Sequence, residues 1–208
     1  STPYEFDNKF FTGYAHVALS GVGCPEASSL LVMPTSGDLD VDYFSYGSEY
    51  TDEMASPGYY SNRLTKYGIK TEVTATTRTS AERFTFPAGK GNIILNLGQG
   101  LTNECGAMVR RVSSTEIEGF KLLGTFCYTT QAVFPIYFVM RVSKAPTSEG
   151  AWKFQPLLTG VEAEWTPDDG TYKLYENYYR EVAGDDIGYH FSYDSLPEGE
   201  QITVQLGV

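Results

Sequence analysis

Two short stretches of the chain hold the residues best suited to chemistry. The first runs Gly13-Tyr14-Ala15-His16-Val17-Ala18-Leu19-Ser20-Gly21-Val22-Gly23-Cys24-Pro25. A strand-like opening leads into a loop with glycines and a hydroxyl. Glycine lets a backbone approach a ligand closely, so His16 and Ser20 are placed to hydrogen-bond the hydroxyls of a neutral polar ligand. The competing reading is a buried histidine capping a turn whose geometry needs Gly21 and Gly23. The second stretch is Asp52-Glu53-Met54-Ala55-Ser56-Pro57-Gly58-Tyr59-Tyr60. Acids precede a Pro-Gly turn and an aromatic pair opens a strand. Glu53 can there orient a carbohydrate or a neighbouring loop, or the segment is simply a type II turn feeding a strand.

Other chemistry is weakly marked. In Asp38-Leu39-Asp40-Val41-Asp42, alternation predicts three carboxylates on one strand face. That suits a calcium site or a solvated face, but the glycine of an EF-hand loop is missing. A glycosidase needs two carboxyls flanking a cleft, about 5–5.5 or 6.5–9.5 Å apart, and no pair is singled out. There are only 2 histidines, His16 and His190. GxSxG, HExxH, P-loop and GxGxxG patterns do not occur. By its own chemistry the chain does not read as a complete enzyme.

The elements that must position these residues are strands. Period-two alternation recurs in Ile69–Thr76, in Ile136–Ser143, in Tyr189–Tyr193 and in Ile202–Leu206, the mark of half-buried antiparallel strands. Turn chemistry separates them at Ser36-Gly37-Asp38, Pro57-Gly58, Tyr67-Gly68, Pro87-Ala88-Gly89, Gly184-Asp185-Asp186 and Pro197-Glu198-Gly199. The one helical candidate is Tyr175–Val182. No repeat, low-complexity tract or linker breaks the chain. The expectation is one all-β domain over residues 1–208, a two-sheet antiparallel β-sandwich with little helix.

Composition narrows the partners. The chain has 208 residues, 41% hydrophobic and 20% charged, which is globular and long enough to bury a core. No apolar run reaches the roughly 20 residues of a membrane helix; Pro135 and Arg141 interrupt the longest. No signal peptide is visible at Ser1, as in a mature, trimmed or cytosolic chain. With 26 acids against 15 bases the net charge is −11, which disfavours nucleic acid and anionic membranes. A neutral glycan remains allowed, and the 16 tyrosines suit both sugar stacking and strands. The 3 cysteines, Cys24, Cys105 and Cys127, contain no CxxC. Cys105–Cys127 is the evident pair if one forms, and three reduced buried thiols fit equally.

Taken in order, several motifs resemble the amino-terminal domain of glycoside hydrolase family 92. They are Gly13–His16, Leu19–Cys24, Leu31-Val32-Met33-Pro34-Thr35, Glu53–Tyr60, Tyr67–Lys70, Glu72–Thr76 and Arg83–Pro87, with a fainter echo over Gln131–Lys144. Residues 147–195 match none of its motifs. The family's second histidine, two residues after the first, is replaced by Ala18. The family comprises calcium-dependent α-mannosidases abundant in gut Bacteroidetes. The resemblance implies a supersandwich-like β-domain packed on a large (α/α) barrel, with an inverting active site between the two. It implies that the catalytic acid, the base and the calcium ligands lie in the carboxy-terminal barrel, so that this chain alone is inactive. It also implies mannose-containing glycans as substrate and a periplasmic or extracellular location. His16, Ser20, Gly21 and Cys24 match the loop facing the barrel, and Glu53 and Tyr59 match the acid-Pro-Gly-aromatic segment beside it. These six are assigned to the cleft or the interdomain contact.

Overall fold

The structure, a computed structural model, describes residues 7–18, 27–100, 103–124, 133–155, 170–176 and 180–208. The first elements are β1 (Phe10–Phe11), β2 (Val17–Ala18), β3 (Ala27–Ser29), β4 (Leu31–Ser36) and the short helix α1 (Tyr43–Tyr46). Then follow β5 (Ser48–Ser56), β6 (Tyr59–Leu64), β7 (Ile69–Ala75), β8 (Thr79–Phe86), β9 (Gly89–Asn96), β10 (Asn103–Ser113) and β11 (Glu116–Gly124). The last are β12 (Phe134–Val142), β13 (Ser148–Gln155), β14 (Thr171–Glu176), β15 (Val182–Gly184), β16 (Ile187–Leu196) and β17 (Glu200–Gly207). The fold is an all-β sandwich. A 10-stranded sheet runs β1-β5-β6-β7-β8-β17-β12-β11-β10-β15 and faces a 5-stranded sheet, β14-β13-β16-β9-β4. A 2-stranded ribbon of β2 and β3 stands apart from both.

Alternation explains the packing. On β8, Ser80, Glu82, Phe84 and Phe86 turn inward while Arg83 faces out; on β17, Ile202, Val204 and Leu206 turn inward. These side chains meet Ile93, Leu95, Tyr189 and Phe191 of the smaller sheet in one continuous core. A fully buried aliphatic or aromatic side chain contributes roughly 1.5–3 kcal/mol, so this interior is the main stabilising term.

Register brings one set of chain segments to one end of the large sheet. Ser56 pairs with Tyr59 across the Pro57-Gly58 hairpin, Ala75 with Ser80 across the next turn, and Leu206 with Ser80. Val139 pairs with Gly207, Leu123 with Phe134 and Asn103 with Gly124. The β5–β6 hairpin, the 76–78 turn and the near ends of β10, β11, β12 and β17 therefore share what we call the hairpin end. Gly58 has φ +77°, the left-handed position that a type II turn reserves for glycine.

Two expectations are corrected. Tyr175 and Glu176 belong not to a helix but to β14, where Tyr175 pairs with Ala151 and Leu174 with Trp152. The Tyr172 ring packs edge-on against Trp152, with centroids 5.2 Å apart, and strand pairing outweighs a weak helical preference. Asp38, Asp40 and Asp42 do not share a strand face, because this segment is a turn leading into α1. Asp42 caps the helix by accepting from the Phe44 N–H at 3.0 Å, and Asp40 accepts from the Asp42 N–H at 2.9 Å. Asp38 pairs with Lys90 at 2.7 Å. Aspartates favour such local backbone bonds over strand alternation.

Candidate functional site

His16 sits on the strap that leads into the β2–β3 ribbon, inside the mouth of the sandwich. Its backbone N–H donates to Ser29 O at 2.9 Å and its Nδ1 meets Leu30 O at 2.6 Å. Its Nε2 contacts the Oε1 of Glu82, an inward residue of β8. Both partners are acceptors when Glu82 is ionised, so both ring nitrogens then donate and the ring is an imidazolium. Burial opposes that charge, but the Glu82 carboxylate outweighs it and holds the His16 pKa above its ordinary value. The pair is nearly sealed, with side-chain exposures of 5% and 0%.

The strap is strained around this clasp. Ala27, Ser28 and Leu30 have φ of 56°, 49° and 56°, left-handed conformations costing about 1–3 kcal/mol each for non-glycine residues. The hydroxyls of Ser28 and Ser29 and the Oε2 of Glu82 are buried without a hydrogen-bond partner among the described residues. Beside Glu82 lies a cavity of about 140 Å³, lined by Tyr14, His16, Ser80, Glu82 and Leu206 and opening at the 76–78 turn.

Glu53 joins this region through a chain of side chains. The register of β5 slips between Thr51 and Met54, and Asp52 takes φ 53°. Such a bulge re-aims neighbouring side chains. Glu53 accepts from Tyr60 OH at 2.9 Å and from Lys9 Nζ at 2.7 Å. Asn62 Nδ2 donates to Tyr60 OH at 3.3 Å, and Thr71 Oγ1 donates to Asn62 Oδ1 at 2.6 Å. Thr71 meets Tyr14 OH at 2.5 Å. Tyr14 in turn stacks on Phe84, and its phenol pKa is raised well above normal by burial.

Tyr59 lies on the opposite face, since neighbouring strand residues alternate. Its OH donates to Glu72 Oε1 at 2.8 Å. Arg83 grips the same carboxylate through Nε at 2.8 Å and Nη2 at 2.9 Å. The Arg83 bond pulls the Glu72 pKa down to about 2.

The structure thus brings His16 and Glu53 to one region of the hairpin end and sets Tyr59 behind it on the outer surface. Ser20, Gly21 and Cys24 lie outside the described residues, as do Cys127 and the proposed pairing with Cys105. Glu82, Tyr14 and Tyr60 escaped the sequence reading. The available signal was Glu82 itself, a carboxylate on the apolar side of the Ser80–Phe86 alternation. Among the described residues no three His, Cys, Asp or Glu side chains converge to hold a metal ion. His16 with Glu82, and the series Glu53, Tyr60, Asn62, Thr71 and Tyr14, form a wall of hydrogen-bonded polar side chains.

All of residues 1–208 match the family described as Glycosyl hydrolase family 92 N-terminal domain. A comparison with curated proteins finds no match. Among solved structures, the family GH92 α-mannosidase BT3965 from Bacteroides thetaiotaomicron, in complex with mannoimidazole, is similar at TM-score 0.77 and 24% identity over 99% of this chain. The GH92 family glycosyl hydrolase ccman5 gives 0.76 and 24% over 98%. The inverting mannosidase BT2199 from Bacteroides thetaiotaomicron VPI-5482 gives 0.71 and 17% over 98%. The chain spans only 26%, 26% and 25% of these three.

Proposed function

Since this chain belongs to the glycosyl hydrolase family 92 N-terminal domain family, we propose that it is the amino-terminal β-sandwich of an inverting exo-α-mannosidase. In this reading it packs on the enzyme's own helical barrel and completes a cleft for mannose-containing glycans. The catalytic acid, the base and the calcium reside in the barrel. Calcium seeks six to eight oxygen ligands, and the aspartates of this chain that resembled such a set are spent on capping and on a lysine. The enzyme works in the periplasm or at the cell exterior, where it meets glycans.

The observation that carries this reading is the meeting of two of the family motifs, Gly13–His16 and Glu53–Tyr60, at one end of the sheet. The strap holding His16, the bulge holding Glu53 and the Pro57-Gly58 hairpin all reach it. A hydrogen-bonded wall at that end fits a domain that shapes a cleft.

Calorimetry with mannose and α-mannobiose, with and without calcium, tests the proposal. This chain is expected to give no heat, while the full enzyme binds and cleaves α-mannobiose only with calcium. Millimolar or tighter binding by this chain, abolished by His16→Ala, would instead make it a free-standing carbohydrate-binding module.

A further inference from the structure

The outer face of the large sheet carries an apolar groove at the same end. Strand alternation points Met108 and Arg110, Glu118 and Phe120, and Tyr137 and Val139 away from the core, while Val109, Ile117, Phe138 and Met140 point into it. The six outward residues line a groove of about 590 Å³. Its floor is bare backbone at Gly207, where a Cβ would meet nothing closer than Thr79 Oγ1 at 3.6 Å. The Phe120 and Tyr137 rings pack edge to face with centroids 6.0 Å apart. Arg110 Nε donates to Glu118 Oε1 at 2.8 Å, and Arg78 stands at the groove's edge with no ion-pair partner among the described residues.

Exposed apolar side chains gather here, while Phe44 at 82% and Phe10 at 53% are exposed by the other end of β5. Tyr137 is 67% exposed, Met54 56%, Val133 48%, Phe134 39% and Val139 39%, all at or beside the hairpin end. Val112, 49% exposed, lies at the far end of β10 from the groove. Contiguous exposed apolar surface of this kind marks an interaction site.

We infer that this groove is the seat of the enzyme's catalytic part, which lays an apolar surface over Tyr137 and Val139 and presents a carboxylate to Arg78. The inference rests on the proposed role as a mannosidase domain, and adds the face that does the docking. The occupant follows from size and charge. The solved relatives are about four times as long, since the chain covers 26% of the first of them. A second copy is disfavoured, because two bodies of net charge −11 repel. The groove is also continuous with the end assigned to the cleft.

Thiol labelling of the full-length enzyme tests this, read as the label added over that of the unsubstituted chain. Val139→Cys, Met54→Cys and Val112→Cys place single thiols at exposed sites, with Tyr137→Cys as a second probe of the groove. Val139→Cys and Tyr137→Cys are expected to react about 100-fold more slowly than Val112→Cys, because a packed interface must open before reagent enters. Equal rates at Val139→Cys and Val112→Cys overturn the inference. If Met54→Cys alone is protected, the cleft role of the hairpin end stands and the groove falls. If Val139→Cys alone is protected, the groove stands and the hairpin end does not touch the barrel. If all three react equally, both readings fall. Protection lost on dilution identifies a second copy as occupant and overturns the inference.

Discussion

At His16 the chain accepts a cost that only its surroundings offset. Burying an ion pair costs several kcal/mol per charge, and removing one partner leaves the other stranded. His16→Ala therefore strands the fully buried Glu82 carboxylate. It is expected to destabilise the fold by about 3–5 kcal/mol in urea unfolding, with part of the loss recovered by adding Glu82→Gln. An unchanged midpoint for His16→Ala would remove the clasp from the account. The two histidines also predict opposite pH slopes. His16 has a raised pKa in the fold, so its stabilisation is full below the unfolded value near 6.5 and is lost as pH rises through the folded value. Burial depresses His190 to about 4, so the unfolded state binds more protons between about 4 and 6.5 and stability rises across that window. The thermal midpoint should climb from pH 4 towards 6.5 and decline above it. His16→Gln should flatten only the upper limb.

At the scale of elements, the sheet tolerates side chains where strands have room and rejects them where backbones meet. Gly119 on β11 lies under β10, and a Cβ there would sit 2.0 Å from Met108 O and 3.0 Å from the Phe138 ring. Gly119→Ala is expected to cost at least about 2 kcal/mol through overpacking, visible as a lowered melting temperature. Gly58→Ala meets no steric obstacle, but φ +77° remains unfavourable. About 1 kcal/mol is expected there. Equal losses at the two sites would show that backbone conformation, not close approach, sets the cost. Strand existence was readable from alternation, and several turns from glycine and proline. The 76–78 and Ser114–Thr115 turns carry neither residue, so nothing local announces them. The Asp38–Asp42 run illustrates the converse: its alternation was real, but capping bonds within a few residues outcompeted strand pairing.

At the scale of the whole molecule, the two ends of the large sheet are unlike. One gathers the clasp, the bulge, the hairpin and the apolar groove; the other carries α1 with its exposed Phe44, Phe10 and Val112. On the proposed role in a mannosidase, Met54→Glu in the full-length protein should lower kcat/KM by about 10-fold or more, as loss of an interface anchor does. Val112→Glu should leave it within about twofold. A mannoside hydrolysis assay decides, and equal effects would contradict the polarity of the domain.

The sequence by itself determined the fold class and the family likeness, because period-two alternation and ordered motifs are local properties. It also marked His16 and Glu53, since a histidine beside glycines and an acid before Pro-Gly stand out in one dimension. Only the tertiary structure decided that His16 is held by Glu82, that Tyr60 rather than Tyr59 joins Glu53, and that Tyr137 and Val139 stand over a bare glycine. Those facts depend on register between strands far apart in the chain. A shift of one residue would turn every one of these side chains to the other face.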